Sequence, residues 1–190
     1  MPLDRETVVA LNRAAALVNT GVGVEQLSDT AALDAFVSSL WLTGELRRAD
    51  VELSTLRDLR QTLRQIWKAD EDNLVELVNE LLLDTRPLLE LTRSNGSQYI
   101  LRPIASGVTL AVSIAFEAAM AIADVLRAGE RSRLRICEYP GCGRVGVDQS
   151  RNRSRRFCEG NCGNRASVAA YRLRKAQGGM LETCGSEISG

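Results

Sequence analysis

Four cysteines near the C-terminal end constrain this chain more than any other feature. Cys137 and Cys142 are spaced C-x4-C, fifteen residues follow, and Cys158 and Cys162 are spaced C-x3-C. Each pair is close enough to clamp one ion between two sulfurs, and the intervening stretch is long enough for the chain to return. Two such knuckles bring four thiolates into the tetrahedral S4 shell that a structural zinc prefers. The alternatives are two disulfides, or thiols that merely pack. Paired short spacings favour metal ligation over both. The N-terminus, Met1-Pro2-Leu3-Asp4-Arg5-Glu6, shows no basic segment leading into an apolar run, so a secretory signal is not expected. A cytoplasmic address follows, and reduced cytosolic thiols again favour metal.

Charge divides the chain. The 24 basic and 24 acidic residues cancel overall, yet residues 1–129 carry 12 Lys/Arg against 18 Asp/Glu, and residues 130–177 carry 12 against 4. Four thiolates on one Zn2+ leave the cysteine segment strongly positive. That asymmetry points to a polyanion as its partner. The competing expectation is that the basic segment docks on its own acidic N-terminal domain.

Helical periodicity dominates the first 129 residues. Residues 6–18 place Val8, Val9, Leu11, Ala15, Leu17 and Val18 on one side, and Gly21-Val22-Gly23 ends that helix. Ser28-Asp29-Thr30 offers caps for a second helix bearing Leu33, Phe36, Val37, Leu40 and Trp41. Ser54 is the expected N-cap of a third, with Leu56, Leu59, Leu63, Ile66 and Trp67 as its stripe. A fourth runs from about Asp72 to Leu83, before Pro87. Leu88–Thr92 and Gln98–Arg102 flank Ser94-Asn95-Gly96, and Asn-Gly signals a hairpin. Ile104 to Leu126 is nearly all apolar, but Glu117 and Asp124 within it argue for a buried helix rather than a membrane span.

Arg133–Ile136 reads as a strand entering the first knuckle, where Pro140-Gly141 bends the backbone, and Val145–Asp148 as the return strand. Ser150-Arg-Asn-Arg-Ser-Arg-Arg156 is a basic turn leading to Phe157-Cys158. A helix from about Gly163 to Ala176 follows, with Cys162 at its start, where free N–H groups favour a thiolate. Ala166, Ala169, Ala170, Leu173 and Ala176 share one side, which is expected to pack on the knuckles. About forty residues cannot bury much core, so zinc, contributing on the order of 10 kcal/mol or more, would couple to folding here. The candidate nucleic-acid contacts are Arg151, Arg153, Arg155, Arg156, Arg165, Arg172, Arg174 and Lys175. Arg165 and Arg172 lie on one helix face, near its start.

Cys162-Gly163-Asn164-Arg165 spells the tetrapeptide of the CGNR zinc-finger proteins, which this segment resembles across Cys137–Arg174. The shared features are the C-x4-C knuckle, Asp148, the 150–156 basic run, an aromatic before Cys158 and Tyr171-Arg172. Phe157 stands where tryptophan is usual, and Val145-Gly146-Val147 is less bulky than the usual strand. Upstream, Val18-Asn19-Thr20 ends a helix in a region similar to the ABATE-type domain that precedes such fingers. Those proteins are described as stress-induced transcription regulators. The resemblance therefore implies DNA binding by the finger and, position by position, zinc ligation by Cys137, Cys142, Cys158 and Cys162.

Other signals are set aside. Gly141-Cys-Gly-Arg-Val-Gly146 fits G-x-G-x-x-G but contains a proposed ligand and opens no helix. The chain has no histidine, which removes His-dependent triads and mixed His-carboxylate zinc sites. No catalytic pair stands out, so an enzyme is not expected. Glu117 and Asp124 are expected to pair with arginines.

The fold expected is mainly α. A helical N-terminal domain with one β-hairpin (1–129) precedes a small treble-clef-like zinc finger (130–177) and a flexible tail (178–190), where Cys184 is a spare thiol. One structural Zn2+ and a DNA partner are expected. RNA or a protein partner is the alternative, and a homodimer and a small-molecule effector are candidate roles for the N-terminal domain. No membrane association is expected.

Overall fold

A computed structural model describes residues 3–40, 49–86, 88–93, 99–103 and 108–182. Trp41, the Ser94-Asn95-Gly96 turn and Cys184 lie outside the described residues. Five helices and a hairpin come first: α1 (Arg5–Asn19), α2 (Thr30–Ser39), α3 (Ala49–Lys68), α4 (Glu71–Thr85), β1 (Leu89–Arg93), β2 (Tyr99–Pro103) and α5 (Leu110–Arg127). A short 3-10 turn at Arg131–Arg133 leads to β3 (Leu134–Ile136), β4 (Val145–Val147) and α6 (Cys162–Glu182). The expected mainly helical architecture is present.

Local chemistry explains the helix starts. Asp4, Asp29 and Asp70 accept hydrogen bonds from the backbone N–H groups of Thr7, Ala32 and Asn73 at 2.8, 2.8 and 2.9 Å, each satisfying a donor that the first turn leaves unpaired. The expectation for Ser54 fails. Helix α3 starts at Ala49, and the Ser54 hydroxyl donates to the Val51 carbonyl at 2.9 Å within it. A serine inside a helix can bond back to the preceding turn, which hides the difference between cap and interior.

Helix α5 forms the centre. Ile114, Ala118, Ala119, Ile122 and Val125 are buried, and the small alanines let α1 and α4 approach closely. Leu11, Leu17 and Val18 of α1, Leu56, Leu63 and Ile66 of α3, and Leu74 and Val78 of α4 complete the core. The N-terminus of α5 receives a carboxylate from another helix: Leu110 and Ala111 donate to Glu52 of α3 at 3.0 and 3.4 Å. A buried anion there offsets the positive end of the helix dipole. Glu117 pairs with Arg13 at 2.8 Å and Asp124 with Arg127 at 3.4 Å, as expected of acids on this helix. No helix among the described residues is long and apolar enough to cross a membrane.

The hairpin β1–β2 is antiparallel, with Leu91 opposite Leu101 and Arg93 opposite Tyr99. The second hairpin, β3–β4, pairs Leu134 with Val147 and Ile136 with Val145. Its Leu134, Val145 and Val147 are buried in the same core as the five helices. The cysteine segment therefore does not stand apart: its strands complete the helical core.

Candidate metal centre and basic helix

Strand β3 delivers Cys137, whose N–H extends the ladder by donating to Arg144 O at 2.8 Å. Between them the chain turns at Cys142, which donates to Tyr139 O at 3.0 Å. Gly141 and Gly143, at φ +76° and +65°, take the left-handed backbone that this turn needs and that side chains disfavour. The second knuckle folds over the first. Cys158 N–H points at the Cys137 sulfur, 3.4 Å away, and Cys162 opens α6. All four sulfurs lie within 4.8 Å of one another, and Cys142 Sγ is 3.8 Å from Cys158 Sγ. A tetrahedral shell with Zn–S bonds of about 2.3 Å has edges of about 3.8 Å. All four are free thiols, so the disulfide alternative does not describe this structure.

The protonation chemistry also calls for a cation. Burial, with the neighbouring sulfurs adding to it, pushes the Cys162 thiol up to about 12. Cys158 is also raised, chiefly by burial. Cys137 moves the other way: burial opposes ionisation, but the N–H groups of Cys158 and Tyr139 and the adjacent thiols more than offset it. Four sulfurs this close cannot all ionise without compensating charge, which a divalent metal supplies. Among the described residues this is the only such cluster of possible ligands. The donor set fits one structural zinc with no position left open.

A buried polar frame holds the knuckles in place. Asp148 is fully buried, and its carboxylate accepts from Ser150 N and Arg155 N, both at 2.8 Å. Burial alone would raise its pKa, but these donors and the nearby Arg133 hold it below the usual value. Arg133 donates to Glu130 Oε2 at 2.7 Å and to the carbonyls of Asp148 and Ser150 at 2.9 and 3.0 Å. Glu130 also takes Arg153 at 2.7 Å. Its carboxyl is held low against burial by the two guanidinium groups. That pairing accompanies Arg153's left-handed backbone, φ +51°.

Four side chains clamp this unit to the helices, and one is its own Arg131, which donates to Ala69 O and Trp67 O at 2.5 and 3.4 Å. The Asn19 amide makes two bonds to one residue: Nδ2 donates to Val145 O and Oδ1 accepts from Val145 N, each at 2.9 Å. Trp67 Nε1 donates to Gly146 O and Arg64 Nη2 to Gly143 O, both at 3.0 Å.

Two family models match the chain. Residues 133–175 match the CGNR zinc finger. Residues 11–129, more than half the chain, match ABATE, described as "Putative stress-induced transcription regulator". The chain belongs to the ABATE family and carries a CGNR zinc finger. A comparison with curated protein sequences gives no match.

Within this CGNR finger the eight candidate cations fall into two groups. Arg153 pairs with Glu130, Arg155 with Glu159 at 3.1 Å and Arg156 with Glu138 at 2.7 Å. Arg165 lies over the Tyr139 ring, 4.3 Å from its centroid. The partners of these four all belong to the basic segment itself. Arg151, Arg172, Arg174 and Lys175 are exposed and have no ion pair among the described residues.

The expected packing of α6 on the knuckles does not occur. Among residues 162–176 only Cys162, Gly163 and Ala166 are shielded, every residue from Ser167 to Ala176 is exposed, and Leu173 is 64% accessible. The helix also passes its expected end near Ala176 and continues to Glu182, through Gly178-Gly179. Extending an existing helix costs less than starting one, and no proline stops it.

Sequence reading missed two further arginines. A cleft of about 390 Å3 between α1 and the finger is walled by Arg135, Arg144, Arg155 and Arg156. Their presence in the basic segment was the only signal, because Arg135 sits on β3 and Arg144 just before β4, at the seam rather than in the basic run.

Proposed function

We propose that this protein binds duplex DNA through its finger and regulates transcription in a stress response. In this reading Cys137, Cys142, Cys158 and Cys162 ligate the zinc, and residues 1–129 contribute dimerisation or ligand sensing. The protein acts by binding rather than catalysis. The observation that carries the reading is α6, about 30 Å long at 1.5 Å per residue. It stands clear of the body with Arg172, Arg174 and Lys175 unpaired among the described residues. A helix of that form suits a major groove, and its cations suit phosphates or guanine edges. Arg165 is the less mobile contact, being stacked on Tyr139, and Arg151 adds a free cation from the basic turn.

Titration of a fluorescent duplex with the zinc-loaded chain tests this. Neutralising six phosphates gives a log–log salt slope of roughly −5. Arg172→Ala and Lys175→Ala should each reduce that slope by about 1. Binding that ignores salt, or no binding at low salt, overturns the proposal. Structured RNA as competitor separates DNA from RNA binding. A protein partner is the second reading, favoured by Val168, Tyr171 and Leu173, which are 48, 60 and 64% exposed on α6. A complex that survives nuclease treatment would favour it.

A further inference from the structure

The hairpin β1–β2 presents Leu91, Tyr99 and Leu101 towards α1 and α5 but does not close on them. A cleft of about 510 Å3 remains, with these residues on one wall and Val9, Phe116 and Met120 on the other. Leu91, Tyr99 and Leu101 stay at least half exposed. Apolar walls separated by a cleft lose part of the gain of burial unless something fills the gap.

Two carboxylates meet at one end of the cleft. Thr7 Oγ1 lies 3.0 Å from Asp4 Oδ2 and 3.2 Å from Asp124 Oδ2. Its single hydrogen can be donated to only one of them. The two carboxylate oxygens are within about 6 Å of each other across that hydroxyl. Among the described residues Asp124 pairs with Arg127, 3.4 Å away and 82% exposed, where solvent screens it. Elsewhere in the cleft Arg13 is already taken by Glu117 at 2.8 Å.

We infer that this cleft binds an amphipathic organic cation, a protonated amine carrying an apolar body. The ammonium lies between Asp4 and Asp124, where its three hydrogens supply the donors that Thr7 cannot. The apolar body lies under the hairpin against Phe116 and Met120 and joins the two walls. The inference concerns the helical domain and stands independently of what the finger binds. It gives an effector role a place and a ligand chemistry.

The test is calorimetry on the full zinc-loaded chain with octylammonium, octanoate and ethylammonium. Octylammonium should bind one to one, with octanoate and ethylammonium each at least tenfold weaker. Asp124→Asn keeps an acceptor for Thr7 but removes the charge, and should weaken octylammonium about tenfold. Leu101→Gln changes a half-exposed hairpin residue and should weaken it about fivefold. Both variants should unfold at the parent midpoint, which separates lost binding from lost structure. Equal affinity for octylammonium and octanoate would overturn the inference, as would no binding at millimolar ligand or wild-type affinity in Asp124→Asn. Sedimentation as a dimer that protects the cleft would assign it to a second copy of the chain instead, and also overturns the inference.

Discussion

Asn19 offers the sharpest perturbation of this structure. Its carboxamide acts as a third strand for β4, donating to Val145 O and accepting from Val145 N at 2.9 Å each. Val145 is 4% exposed, so water cannot readily replace either bond. Asn19→Ala leaves one donor and one acceptor without partners. Each such loss costs about 1 to 3 kcal/mol, and partial water entry at half-buried Asn19 keeps the total near 2 to 4 kcal/mol. In a chain of this length that lowers Tm by about 5 to 10 °C. Thermal unfolding of the zinc-loaded protein followed by circular dichroism measures it, and amide exchange locates it, with Val145 losing protection first. Asn19→Asp refines the argument: the carboxylate can accept from Val145 N but meets Val145 O with no hydrogen. That variant should be no more stable than Asn19→Ala at neutral pH and should partly recover once the carboxyl is protonated. A Tm within about 1 °C of the parent for Asn19→Ala, with Val145 still protected, would refute the account of the seam.

Three further outcomes follow from the geometry. Cys158→Ser should lose its one equivalent of zinc by metal analysis, and trypsin should then cut at residues 151–156 and in α6. Protection should persist in β3–β4, which share the helical core, and equal exchange across the whole finger would contradict this. Arg60 grips Glu25 through two bonds, and its guanidinium lowers the Glu25 carboxyl from 4.5 to about 2. The folded pKa is below the unfolded one, so the stabilisation is complete above about pH 4.5 and fades as pH falls towards 2. Glu25→Gln should flatten the acid limb of a Tm–pH curve across that window. Trp67→Phe deletes the Nε1–H bond to Gly146 O at 3.0 Å and should cost about 1 kcal/mol in urea unfolding. An unchanged midpoint would remove Trp67 from the seam.

Signals confined to a few residues were legible without coordinates. The cysteine spacings, the Asp29 cap, the apolar run of α5 and the hairpin each depend on neighbours in sequence. Periodicity fixes such elements because helix and strand geometry repeat locally. The division of charge was equally plain, since it is a property of composition. Ser54 failed as a cap because a serine can bond to the backbone from either a cap or an interior turn.

What folding alone decided lies in pairs far apart along the chain. Asn19 meets Val145 and Glu52 meets the start of α5, and neither residue type announces its partner. The same holds for which arginines are spoken for: Arg153 is taken by Glu130, while Arg172 has no ion pair among the described residues. Helical spacing grouped the alanines and Leu173 of α6 on one side, but could not say whether anything would lie beside them. Spacing sets which side chains share a face. Whether that face is buried depends on where the rest of the chain goes.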